Sequence, residues 1–135
     1  MIRSSNGDIC LEGVEVYRED TPASLVKRGG FTRVEEAPPA FPAYRFKTPS
    51  WSGLVQFSQS KIITVAISYT VGHAQDLEAW SAADEQQASE EHDRFLLEWL
   101  GRKSLFRSRY VFAWGSVASE LDIHHGDASI VVAYS

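Results

Sequence analysis

The chain has 135 residues, is 44% hydrophobic and 23% charged, and carries a formal net charge of −5. A chain of that length folds as one domain and buries about 68% of its open-chain surface, so no disulfide or metal staple is required and intrinsic disorder is excluded. The acidic balance argues against general attraction to nucleic acid, and no apolar run is long enough to span a bilayer.

The N-terminal M-I-R-S-S-N-G-D lacks the apolar run of a signal peptide, and Cys10 is the single cysteine, so a cytoplasmic protein is expected. Ile9 and Leu11 on either side predict a packed thiol. Ile9 to Tyr17 reads as one strand kinked at Gly13, where the apolar parity slips from Ile9/Leu11 to Val14/Val16. T-P-A-S-L-V-K-R-G-G then carries the punctuation of a short helix, about 22–28, with Thr21 as N-cap, Pro22 at the first turn and Gly29 past the end. The paired glycines follow this helix rather than open one, so they do not form a phosphate loop.

Phe31 to Glu35 and Ala43 to Thr48 read as strands, separated by the proline-rich A-P-P-A-F-P of residues 37–42. Trp51, in T-P-S-W-S-G, either plugs the core or anchors a partner or ligand. Leu54 to Ser58 and Ile62 to Val71 form the central hairpin, turning at Gln59-Ser60 or at Gln59-Ser60-Lys61. Period-two alternation places Ile63, Val65, Ile67, Tyr69 and Val71 on one face.

A long helix, about 81–100, begins at the capping-box-like Ser81-Ala-Ala-Asp84 and ends at Gly101, beside Arg102 and Lys103. Ala88, His92, Phe95, Leu96 and Trp99 share one helical face. Seven acids from Asp76 to Asp93 match the positive end of the helix dipole as a solvated face. His92 lies on the apolar side. It is either a boundary histidine with one satisfied nitrogen or, with Trp51, part of a pocket between helix and sheet.

The end of the chain alternates as a three-stranded meander. Gly115-Ser116 suits a type II′ turn, which pairs Trp114 with Val117 and Tyr110 with Leu121. Asp122-Ile-His124-His125-Gly126-Asp127 must be a second turn, with an even number of loop residues to keep Val117 and Leu121 on the face of Ile130 and Val132. Either a His125-Gly126 loop or a His124–Asp127 loop pairs Leu121 with Ile130. The Gly115-Ser116 turn places Arg109 opposite Asp122, and the tight version of the second turn places His124 opposite Asp127. Asp122, His124, His125 and Asp127 are therefore candidate ligand or partner contacts. As metal ligands they form an incomplete set that needs a fourth group such as His73, and no metal or cofactor is expected.

No CxxC, HExxH, GxGxxG, Walker or G-x-S-x-G motif occurs, and no catalytic residue is assigned. The one basic stretch with interleaved aromatics, Arg102 to Tyr110, does not make a nucleic-acid surface on a net acidic chain. The tail W-G-S-V-A-S-E-L-D-I-H-H-G-D-A-S-I-V-V-A-Y, Trp114 to Tyr134, resembles the ending of small uncharacterised bacterial proteins with a W-G-x-V-x-S-x-x-D hairpin. That resemblance implies bacterial origin and an accessory role of the immunity or inhibitor type.

The expected fold is α+β: a mainly antiparallel sheet of about seven or eight strands, one apolar face covered by the long helix. The expected function is non-catalytic binding of a protein partner, with no membrane contact. The alternative is a small-molecule-binding protein or small enzyme, its pocket at His92 and Trp51. A deep pocket there favours the alternative, and a flat acidic or aromatic patch favours the first.

Overall fold

The computed structural model describes residues 1–70, 82–101, 109–122 and 127–135. Among them the order is β1 (Ile9–Leu11), β2 (Val14–Val16), α1 (Pro22–Arg28), β3 (Thr32–Arg33), β4 (Ala43–Lys47), β5 (Trp51–Ser58), β6 (Lys61–Tyr69), α2 (Ala82–Leu100), β7 (Tyr110–Phe112), β8 (Gly115–Asp122) and β9 (Asp127–Tyr134). Seven strands make one antiparallel sheet, ordered β3-β4-β5-β6-β9-β8-β7, and β1-β2 form a separate ribbon. The α+β class and the C-terminal meander are as the alternation predicts.

Alternation gives the large sheet one dry face. Phe46, Val55, Phe57, Val65, Ile67, Val117, Ile130 and Val132 are buried on it. α2 packs on the same side against β6, β8 and β9 and buries His92 and Leu96 completely. Ile2, Ile9, Leu11, Val16 and Leu25 join the same apolar cluster, so the N-terminal ribbon and α1 extend the core. On the opposite face Arg45, Lys47 and Glu120 are exposed, between the small side chains Ser52, Ala66, Ser68, Ala118 and Ser129.

α1 is capped as expected: the Thr21 hydroxyl accepts from the Ser24 amide, Ser24 Oγ accepts from the Thr21 amide, and Gly29 closes the end. The central hairpin turns at Gln59-Ser60, both with positive φ as a two-residue type I′ turn requires. β6 also carries an irregularity: the register slips between Gln56 and Phe57, so Phe57 pairs with Ile62. Ile62, not Ile63, is therefore the buried residue at that end of the strand.

Several expectations are corrected. Ile9 to Tyr17 is not one kinked strand but a hairpin, because Glu12 (φ 47°) and Gly13 (φ 90°) make a tight turn that pairs Ile9 with Val16. The parity slip marks this reversal. Cys10 is exposed, since β1 buries Ile9 and Leu11 and turns the residue between them outward.

The third correction is the β7–β8 turn, which falls at Ala113-Trp114 with Phe112 opposite Gly115. Gly115 is needed inside the ladder: at φ 153°, a Cβ there would sit 2.0 Å from the Ala133 carbonyl oxygen. Trp114 is freed from the strand and folds back, donating from Nε1 to the Ser4 carbonyl at 2.8 Å and stacking 5.0 Å from Phe112. β8 and β9 pair Asp122 with Asp127 and Val117 with Val132. The number of residues between the last ladder partners is even, as parity demands, and the register lies two residues from the expected one. Arg109 precedes β7 and has no place opposite Asp122.

Candidate partner-binding surface

α2 brings an aromatic cluster together at one end of the sheet. Trp51 opens β5 opposite Tyr69, the last residue of β6. Its ring lies 5.2 Å from Tyr69, 5.0 Å from Phe95, 5.6 Å from Trp99 and 6.2 Å from His92, onto which it stacks. The helical spacing of His92, Phe95 and Trp99 aims all three at the sheet. Thr48 fixes the start of β5: its backbone amide donates to the Trp51 carbonyl, and its Oγ1 accepts from the Trp51 amide at 2.9 Å. The Glu12 carboxylate clamps this corner, accepting from Thr48 Oγ1 at 2.7 Å and from the Ser50 amide at 2.8 Å. The Thr48 hydroxyl and then the Ser50 groups hold the Glu12 carboxyl below its ordinary pKa.

His92 is fully buried, and its Nε2 accepts from the Tyr69 amide at 3.0 Å. An accepting Nε2 places the neutral ring's proton on Nδ1. This is a histidine built into the joint between helix and sheet, fully buried rather than at the boundary. Trp51 is 4% exposed and so plugs the core; as a direct partner contact it is corrected, because its ring is covered by α2.

Trp51 and His92 meet as the pocket alternative required, but they pack against each other. The cleft beside them, about 220 Å³, is lined by Tyr69, Glu91, Arg94, Phe95 and Glu98 and by neither of the pair. The solvent side of α2 next to it carries Glu90, Asp93, Arg94 and Glu98 around Leu97, which is 54% exposed. The surface is acidic, with one apolar side chain near its centre.

The open face of the sheet carries a second, shallower feature. A trough of about 610 Å³ runs over Arg45, Lys47, Ser52, Leu54, Ala66, Ser68 and Ser129. It exists because its floor is serine and alanine.

His124 and His125 lie outside the described residues. Asp122 and Asp127 close the hairpin as a backbone pair, and nothing further is described of them. Among the described residues no three histidine, cysteine, aspartate or glutamate side chains converge as metal ligands, and no helix is long and apolar enough to cross a membrane. Ser81, Arg102 and Lys103 also fall outside the described residues.

Sequence reasoning did not single out Glu91, Leu97 or Glu98 as candidates: Glu91 was read within the solvated acidic run from Asp76 to Asp93, and Leu97 and Glu98 were given no role. Two signals were present. Leu97 is a leucine on the polar side of an amphipathic helix, and Glu91 and Glu98 stand two turns apart on either side of Phe95.

No family model matches the chain, and no curated protein matches it. Among solved structures, a chain of the complex of Rhs1-CT with its cognate immunity protein RhsI1 is similar, with a TM-score of 0.64 and 15% identity. The alignment covers 98% of this chain and 85% of that one. At that identity the likeness is one of fold.

Proposed function

We propose that the chain is a non-catalytic binding protein of the immunity type, which occupies a cognate protein partner inside a bacterial cytoplasm. The observation that carries this reading is the correspondence of fold, over 98% of this chain, with a chain from the complex of Rhs1-CT and its cognate immunity protein RhsI1. The surface supports it. α2 offers an acidic face centred on an exposed leucine, the arrangement of an apolar anchor within a polar rim. The small-molecule alternative loses ground because the cleft near His92 and Trp51 is below the roughly 300–1,000 Å³ of ordinary ligand sites.

Affinity capture from the source organism, with mass spectrometry of the bound fraction, tests the proposal. One dominant protein is expected, and co-expression with it should relieve any growth arrest that protein causes alone. Capture of no protein, together with clear thermal stabilisation by a metabolite, would overturn the reading.

A further inference from the structure

The open face of the sheet, away from α2, carries a pattern that is complementary to itself. Adjacent strands in the order β4-β5-β6-β9-β8 each give one residue to a row across it: Lys47, Ser52, Ser68, Ser129 and Glu120. The Ile67–Ile130 pair sets Ser68 beside Ser129 at the middle of that row. The next row is Arg45, Leu54, Ala66, Val131 and Ala118, apolar from Leu54 onward. Lys47 and Glu120 therefore stand four strand spacings apart, about 19 Å, too far to neutralise each other within one chain. Arg45, Lys47 and Glu120 are exposed and form no ion pair with any described residue, and Leu54 is 37% exposed.

A half turn about an axis lying along β6, between two copies set open face to open face, exchanges β4 with β8 and β5 with β9. The rows stay in step. Lys47 of each copy then meets Glu120 of the other, Ser52 meets Ser129, and Leu54 meets Val131. Shape follows the same symmetry. Arg45 and Lys47 raise the β4 end, whereas Ser129 and Ala118 leave the far end low, so each trough of about 610 Å³ receives the raised end of the other copy. At about 16 Å² of sheet per residue, the seven strands present a face of roughly 700 Å², near the roughly 800 Å² that each partner buries in a standard interface.

We propose that the open face is the interface of a two-fold symmetric dimer of this chain, with the sheets stacked about 10 Å apart. The apolar row supplies contact, and the charged ends fix the orientation, because stacking without the half turn would bring cation onto cation. α2 lies on the opposite side of each sheet, so the dimer leaves both helices outermost. This goes beyond the partner reading and does not depend on it.

Sedimentation of the whole chain from about 1 to about 300 μM tests the proposal, and a monomer–dimer equilibrium with a dissociation constant on the order of 10 μM is expected. Lys47→Glu and Glu120→Lys should each weaken it at least about tenfold, and the double variant should recover it to within about threefold, since reversing both ends restores opposite charges. Leu97→Lys, on the far side of each copy, should dimerise as wild type does. These positions are exposed, so circular dichroism and melting temperature should show all four variants folded. A dimer indifferent to both single reversals, a folded double variant that fails to recover, or loss of the dimer in Leu97→Lys would overturn the proposal. So would a chain monomeric throughout, including one whose Lys47 is shielded from acetylation only by an added protein partner.

Discussion

Asp20 shows how a single buried carboxylate is kept charged. Burial pushes its pKa up, but the Arg28 guanidinium, the Ser24 hydroxyl and the Tyr17 amide outweigh that and hold it below the ordinary value. The folded chain therefore releases this proton more readily than the unfolded chain. The resulting stabilisation is complete above the unfolded pKa of about 4 and is lost as pH falls through the depressed folded value. Asp20→Asn should cost about 2 kcal/mol at neutral pH in urea unfolding, and the gap to wild type should narrow in acid, closing once the pH falls below the depressed folded value. A gap that persists in acid would show that shape, not charge, is what Asp20 contributes. His92 makes the complementary case. His92→Leu keeps the bulk but removes the acceptor for the Tyr69 amide, at a cost of about 2 kcal/mol, whereas His92→Gln retains an acceptor and should cost less. Equal losses for the two variants would mean that the hydrogen bond contributes nothing. Gly115→Ala should be the most damaging of the small substitutions, at least about 2 kcal/mol, because its Cβ would collide with the Ala133 carbonyl. A wild-type melting temperature in that variant would contradict the close approach of β8 and β9.

At the scale of elements, what was legible in the sequence depended on period and punctuation. α1 was readable because Thr21, Pro22 and Gly29 each serve a local backbone need, and β6 because Val65 and Ile67 alternate over an uninterrupted run. Registers were less legible, since they are decided by contacts far away in sequence. Gly115 looks like a turn glycine, but its neighbour Trp114 gains more by reaching the Ser4 carbonyl, and this moves the turn by two residues. The even loop between β8 and β9 followed from parity alone; its position depended on the pairing of Leu121 with Ala128, which no local rule selects. Of the candidate site, His92 and Phe95 were visible as one helical face. The place of Glu91 and Glu98 beside the cleft was not, because only the strand end at Tyr69 distinguishes them from other surface acids. The ladder runs to Asp122 and Asp127, so the hairpin is held independently of its tip. Replacing His124 and His125 by Asn should therefore change stability by less than about 1 kcal/mol, and added zinc or nickel should not raise the melting temperature. Metal stabilisation that disappears in the double variant would assign the tip a binding role instead.

For the whole molecule, the net charge of −5 and the acidic face of α2 favour a basic partner surface. Long-range attraction of this kind acts on encounter, so association should slow by about tenfold between low and about 0.5 M salt while dissociation changes little. A salt-independent association rate would place the interface elsewhere, for example on the open sheet face around Arg45 and Lys47. The most direct measurement of the central claim is quantitative capture with two baits side by side, the wild-type chain and Leu97→Lys. Leu97 is 54% exposed, so the variant should fold normally while placing a positive charge at the centre of the acidic face. One protein enriched by the wild-type bait and recovered at least about tenfold less by Leu97→Lys is the predicted result. Equal recovery by both baits, or enrichment by neither, would contradict a partner-binding role for this face.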